Sequence, residues 1–147
     1  MYNILTFSNY YYITYIAKKV EKANKEHKNI VHFIFDLQRL KGEELYMKIL
    51  SIDTSSSICS VAIFEDNKII KEMHNFSEKE HSETLMPMID ELFKTAGLTL
   101  DDIGLIACSV GPGSFTGIRI GIATAKAFAD AKNIPVVGVN SLEALAY

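Results

Sequence analysis

At 147 residues, with 48% hydrophobic and 22% charged side chains, the chain has an ordinary globular composition with enough apolar material for one modest core. Its charge is uneven: residues 1–46 hold seven Lys or Arg against five acids, whereas 47–147 hold eight against thirteen, for formal nets of +2 and −5. A surface that grips RNA unaided carries a basic patch, so the acidic larger part argues against independent RNA binding.

Residues 1–46 differ in character from the rest of the chain. They hold six of the seven tyrosines, including Tyr10, Tyr11, Tyr12 and Tyr15, and a basic stretch from Lys18-Lys19 through Lys28 that precedes the apolar patch Ile30 to Leu37. The first apolar patch is broken by polar residues and falls short of the roughly 20 residues a membrane-spanning helix needs. Its lysines follow the apolar part, whereas a secretory signal carries them in front. The composition changes sharply at Met47.

From Met47 onward the elements are readable. Ile49 to Ile52 predicts a short buried strand, Ser57 to Phe64 a second, and Lys68 to Phe76 a third, with Glu65-Asp66-Asn67 as the turn between the last two. Three strands on short links form an antiparallel meander. A helix follows over Glu83–Ala96, stopped by Gly97, with Thr84 as the N-cap because Pro87 is then accommodated in the first turn. Leu85, Met88, Ile89, Leu92 and Ala96 form its core stripe. Met86 and Phe93 widen that stripe beyond what a sheet needs, which leaves them as two partly exposed apolar side chains or as contacts for a partner.

Next come a strand over Ile103 to Val110, the segment Gly111-Pro112-Gly113-Ser114-Phe115-Thr116-Gly117-Ile118-Arg119-Ile120-Gly121, a helix over Phe115–Ala131, and a last strand over Pro135 to Val139. Strand, glycine loop and helix follow one another as in phosphate-binding folds, but Ile118 and Arg119 stand where a Walker loop needs Lys and Ser or Thr. The spacing of Gly111, Gly113 and Gly117 is one residue too long for a dinucleotide fingerprint. The segment does place Gly117, Gly121, Ala125 and Ala129 on one helix face, open to close approach by another backbone. Either this domain's own sheet or a helix of another chain would fill that face.

Met47-Lys48-Ile49-Leu50-Ser51-Ile52-Asp53-Thr54-Ser55-Ser56, His81-Ser82-Glu83-Thr84-Leu85-Met86-Pro87-Met88-Ile89, the glycine segment, and Pro135-Val136-Val137-Gly138-Val139 with Ser141-Leu142-Glu143-Ala144-Leu145-Ala146 together resemble the TsaB (YeaZ) family, in order from Met47 to the end. The resemblance implies an α/β fold, a ribonuclease H-like lobe of actin-like or Hsp70-like (ASKHA) type with a mixed sheet flanked by helices, and the order β-β-β-α-β-α-β agrees with it. It implies a non-catalytic scaffold in the making of threonylcarbamoyladenosine in tRNA, beside the catalytic paralog TsaD and the ATPase TsaE. Homodimerisation in the absence of TsaD and tRNA contact only through the complex follow from the same likeness, while a cytoplasmic location without membrane contact is expected from two unpaired cysteines and from the lack of a secretory or spanning pattern.

Because the resemblance begins at Met47, the natural start is expected there, with 1–46 as translated upstream sequence. Lys41-Gly42-Glu43-Glu44 back-translates to a purine-rich run suited to ribosome binding just before it. Intact mass of the native protein tests this, and a product beginning at Met1 refutes it. Family members continue into a second, smaller lobe, so 47–147 is read as an N-terminal lobe.

Asp53, at the end of the first strand, stands where nucleases of this fold keep a metal ligand and kinases an acid beside the phosphates. A two-metal site needs several convergent carboxylates, and Cys108, Ser109, Val110 and Gly111 occupy the matching end of the fourth strand. Asp53, Thr54 and Ser55 are therefore read as a vestigial phosphate loop in which Asp53 caps backbone amides. His81 has no serine or cysteine nucleophile paired with it by a recognised motif. Cys59 and Cys108 read as buried free thiols, and the four histidines are too scattered for a preformed zinc site.

No catalytic residue, metal or cofactor is assigned. The partner interface is expected at Met86, Ile89 and Phe93 on the first helix and at Gly117, Gly121 and Ala125 on the second, with Arg119 as a charged rim contact. The alternative is an ATP-binding or sugar-kinase-like enzyme lobe separated from its second domain.

Overall fold

The computed structural model describes residues 47–65, 68–76 and 80–145, so the readings placed on 1–46, and the middle of the turn at Asp66-Asn67, lie outside the described residues. Five strands form one sheet: β1 (Lys48–Asp53), β2 (Cys59–Glu65), β3 (Lys68–Asn75), β4 (Ile103–Gly111) and β5 (Val136–Asn140). Their order is β3-β2-β1-β4-β5. The meander pairs antiparallel, from Ile49 opposite Phe64 to Asp53 opposite Ser60 and onward to β3. β4 lies parallel to β1, with Ile52 opposite Cys108, and β5 lies parallel to β4. Only β2 runs against the others. This mixed sheet with helix-linked parallel strands is the ribonuclease H-like, actin-type arrangement.

Alternation along the strands divides the core into two layers. Leu50 and Ile52 of β1, Cys59, Val61 and Ile63 of β2, and Ile106 and Cys108 of β4 point to one face. There helix α1 (His81–Ala96) packs over β2 and β3, and helix α2 (Phe115–Lys132) over β4 and β1. Leu85, Met88, Ile89 and Leu92 are the buried apolar side of α1. On the other face Ile49, Ala62, Phe64, Leu105, Ala107 and Val139 form a second cluster that takes in Ala144 from a short helix α3 (Ser141–Leu145). Among the described residues no helix is long and apolar enough to cross a bilayer.

The strand boundaries fall within two residues of those read from the sequence, but three features differ. First, α1 begins at His81 behind Glu80, not behind Thr84, and Thr84 instead folds its hydroxyl back onto the Glu80 carbonyl at 3.3 Å. Pro87 is therefore the seventh helical residue and lies beyond the first turn. Its ring removes the amide that would meet the Glu83 carbonyl. Both residues are exposed, so water can serve that carbonyl. Second, a 3-10 turn over Leu100–Asp102 leads into β4, closed by the Thr99 amide and hydroxyl donating to the Asp102 carboxylate at 2.7 and 2.9 Å. Third, Ser141–Leu145 is helical, with Asn140 Oδ1 accepting from the Leu142 and Glu143 amides at 2.9 and 3.1 Å.

Both long helices end in a left-handed residue. Gly97, at φ +67°, closes α1, and the Leu98 amide returns to the Phe93 carbonyl at 3.0 Å. Asn133, at φ 55°, closes α2.

Candidate functional site

The carboxyl ends of β1 and β4 meet the amino-terminal ends of α1 and α2, the place where open α/β sheets bind ligands. In this chain the meeting point is filled by the loop Asp53-Thr54-Ser55-Ser56. Asp53 is nearly buried, and its Oδ1 accepts from the Ser55 amide at 2.9 Å and the Ser55 hydroxyl at 2.7 Å. That local turn holds the carboxylate on its own backbone.

The next three residues each reach a helix. Thr54 is fully buried and its Oγ1 donates to the Gly117 carbonyl at 2.7 Å. The Ser55 carbonyl accepts from the Ser114 amide at 2.7 Å, at the N-cap of α2. The Ser56 carbonyl lies 2.7 Å from His81 Nε2, at the first residue of α1. A carbonyl only accepts, so Nε2 carries the proton.

The glycine segment is explained by this loop. A β-carbon at Gly113 would strike the Ser55 carbonyl oxygen, one at Gly117 the Thr54 carbonyl oxygen, and one at Gly121 the Thr54 hydroxyl. Gly117 would also meet His81 Cδ2 at 3.0 Å, and Gly121 the Cys108 Sγ at 3.4 Å. Phosphate loops work by converging amide donors on an anion. Here the groups facing Gly113 and Gly117 are carbonyl oxygens, which repel one. Gly111, at φ +99°, adopts a backbone that side chains rarely tolerate and turns β4 into the segment.

Four of the residues expected at a partner interface are turned inward in this structure. Gly117, Gly121 and Ala125 are buried within their own domain, where a β-carbon at Gly117 or Gly121 would collide with Thr54. Ile89 is 2% exposed and belongs to the core. Met86, in contrast, is 49% exposed, and Phe93 is half-buried at the edge of the core. Arg119 is exposed, with its guanidinium 4.4 Å above the ring of Phe115, itself 71% exposed. The remaining outward α2 positions include the exposed Ala123, Lys126 and Ala127.

Cys59 and Cys108 are free and buried. Desolvation is the main cause that lifts their thiols to about 11 and about 12, with the Asp53 charge adding to both, while a hydrogen bond with Thr84 opposes the shift at Cys59. They are inert thiols at neutral pH. Among the described residues no group of three or more His, Cys, Asp or Glu is placed to hold a metal ion.

The fold and this loop define a ribonuclease H-like lobe of the actin-type superfamily in which the loop at the end of β1 binds its own helices. A family model described as "TsaD: tRNA N6-adenosine threonylcarbamoyltransferase" matches residues 69–147, more than half of the chain. The tRNA threonylcarbamoyladenosine biosynthesis protein TsaB of Escherichia coli (strain K12) is 39% identical over 100 residues, covering 68% of this chain and 43% of the relative. TsaB of Bacillus subtilis (strain 168) is 38% identical, covering 68% and 44%. A tRNA N6-adenosine threonylcarbamoyltransferase of Caldicellulosiruptor bescii is 35% identical, covering 69% and 35%. Among solved structures, YeaZ from Pseudomonas aeruginosa superposes with a TM-score of 0.60 at 34% identity, covering 64% of this chain and 44% of that one. The chain belongs to this family of tRNA threonylcarbamoyladenosine biosynthesis proteins, on its TsaB (YeaZ) side. It spans less than half the length of these relatives.

Proposed function

We propose that the chain serves threonylcarbamoyladenosine formation as a non-catalytic scaffold, holding a TsaD-like catalytic paralog through the outward sides of α1 and α2, with self-association when that paralog is absent. One observation carries the reading: the glycine segment is occupied by the Thr54 and Ser55 carbonyls, which leaves no anion cradle where a nucleotide phosphate would sit. The outward surfaces of α1 and α2 carry apolar and small side chains, Met86, the edge of Phe93, Ala123 and Ala127, among charged ones that include Asp90, Glu91, Lys94, Arg119 and Lys126. Helices that dock on helices use such surfaces. A TsaE-like ATPase and tRNA would enter through the assembled complex, in keeping with the acidic charge of 47–147.

The match of residues 69–147 to the threonylcarbamoyltransferase model favours a second reading, an enzyme lobe that binds ATP together with a further domain. Calorimetric titration with ATP and Mg²⁺, set beside titration with the TsaD-like paralog, separates the two. The scaffold reading expects heat from the paralog and none from the nucleotide. Tight ATP binding by this chain would overturn it.

A further inference from the structure

Three consecutive residues of the β1–β2 loop reach the starts of the two long helices: Thr54 to Gly117, Ser55 to Ser114, and Ser56 to His81. We infer that this loop is a clamp that fixes the position of α1 relative to α2, and so shapes the surface those helices present to a protein partner. Thr54 and His81 are its positioning residues. The inference rests on the scaffold reading, since it assigns the clamp's purpose to that interface.

The geometry favours a clamp over ordinary loop packing. Each helix is gripped at its amino-terminal end: α1 through its first residue, α2 through its N-cap and third residue. The two grips are connected, because His81 Cδ2 lies within 3.0 Å of the position a β-carbon at Gly117 would take. Three helix-side glycines, Gly113, Gly117 and Gly121, give up their side chains at the points where the loop enters. The Thr54 hydroxyl is completely buried, so its bond to the Gly117 carbonyl does not compete with water. Removing one grip frees one helix end while leaving the core stripes of Leu85, Ile89 and Leu92 intact.

The test uses the full chain and its TsaD-like partner, with affinity read by calorimetry and folding by thermal midpoint. His81→Ala removes a donor at a half-buried position and Thr54→Val replaces a buried hydroxyl with a methyl. Each should weaken the partner about five- to tenfold, the range set by losing one hydrogen bond. His81→Gln, which keeps an N–H donor, should recover most of that loss. Met86→Asp acts on the surface directly and serves as the control arm. If Met86→Asp weakens binding while His81→Ala and Thr54→Val leave it within twofold, the clamp is refuted and the interface stands. An unaffected Met86→Asp variant removes the interface and the clamp with it. Should Thr54→Val fail to fold, the pair His81→Ala and His81→Gln decides alone, because equal affinities in that pair refute the clamp.

Discussion

Glycine serves two separable purposes in this chain, and single substitutions tell them apart. At Gly97 a β-carbon would meet nothing within 4 Å, so the cost of Gly97→Ala is the left-handed backbone alone, about 1–2 kcal/mol. At Gly117 the backbone is helical and the obstacle is the Thr54 carbonyl, an atom that cannot move without dragging β1. Gly117→Ala should therefore cost about 1–3 kcal/mol by overpacking, offset only slightly by better helix propensity. Urea unfolding of both variants checks the pair; a neutral Gly117→Ala would show that the loop yields. The buried thiols make a second prediction. A thiol whose folded pKa is raised binds its proton more tightly when folded, so its contribution is complete below the unfolded value of 9.0 and is lost as pH climbs toward about 11 for Cys59 and about 12 for Cys108. Stability measured against pH should be insensitive to both thiols below pH 9 and fall above it. Cys108→Ala should flatten that alkaline decline.

Among the elements, α1 departs most from its sequence reading. Pro87 pointed to a helix beginning within a turn of it, yet the helix starts at His81, six residues before the proline, where Thr84 and Leu85 are buried and His81 is bonded to Ser56. Nothing local signals a histidine whose acceptor lies 25 residues away. Pro87→Ala restores the missing amide at an exposed position and should raise stability by about 1–2 kcal/mol, less than the full propensity difference because proline also stiffens the unfolded chain. An unchanged or lower thermal midpoint would mean that the stiffening of the unfolded chain by proline outweighs the missing amide. The sheet strands, by contrast, were legible to within two residues, since Val- and Ile-rich runs separated by short polar turns have few other solutions. Periodicity likewise grouped Gly117, Gly121 and Ala125 on one face of α2. It did not say where that face points, because a stripe of small residues suits a sheet's loop as well as a foreign helix.

At the scale of the whole molecule, one face of the sheet is closed by α1 and α2 and the superfamily's usual ligand position is closed by the chain's own loop. Asp53, Thr54 and Ser55 keep the placement of a phosphate loop, but their polar groups are directed to Ser55, Gly117 and Ser114. On the proposed scaffold reading the outer surface of the helices carries the function, and there Met86 is the large apolar side chain of α1 left half in water.

The most direct measurement is the dissociation constant of the full chain for the proposed TsaD-like partner, taken with Met86 and with Met86→Asp at the same salt concentration. A charge buried in a helix–helix contact without a partner should weaken binding by at least tenfold while the thermal midpoint of the free chain stays put. Equal affinity for the two proteins would contradict the scaffold account.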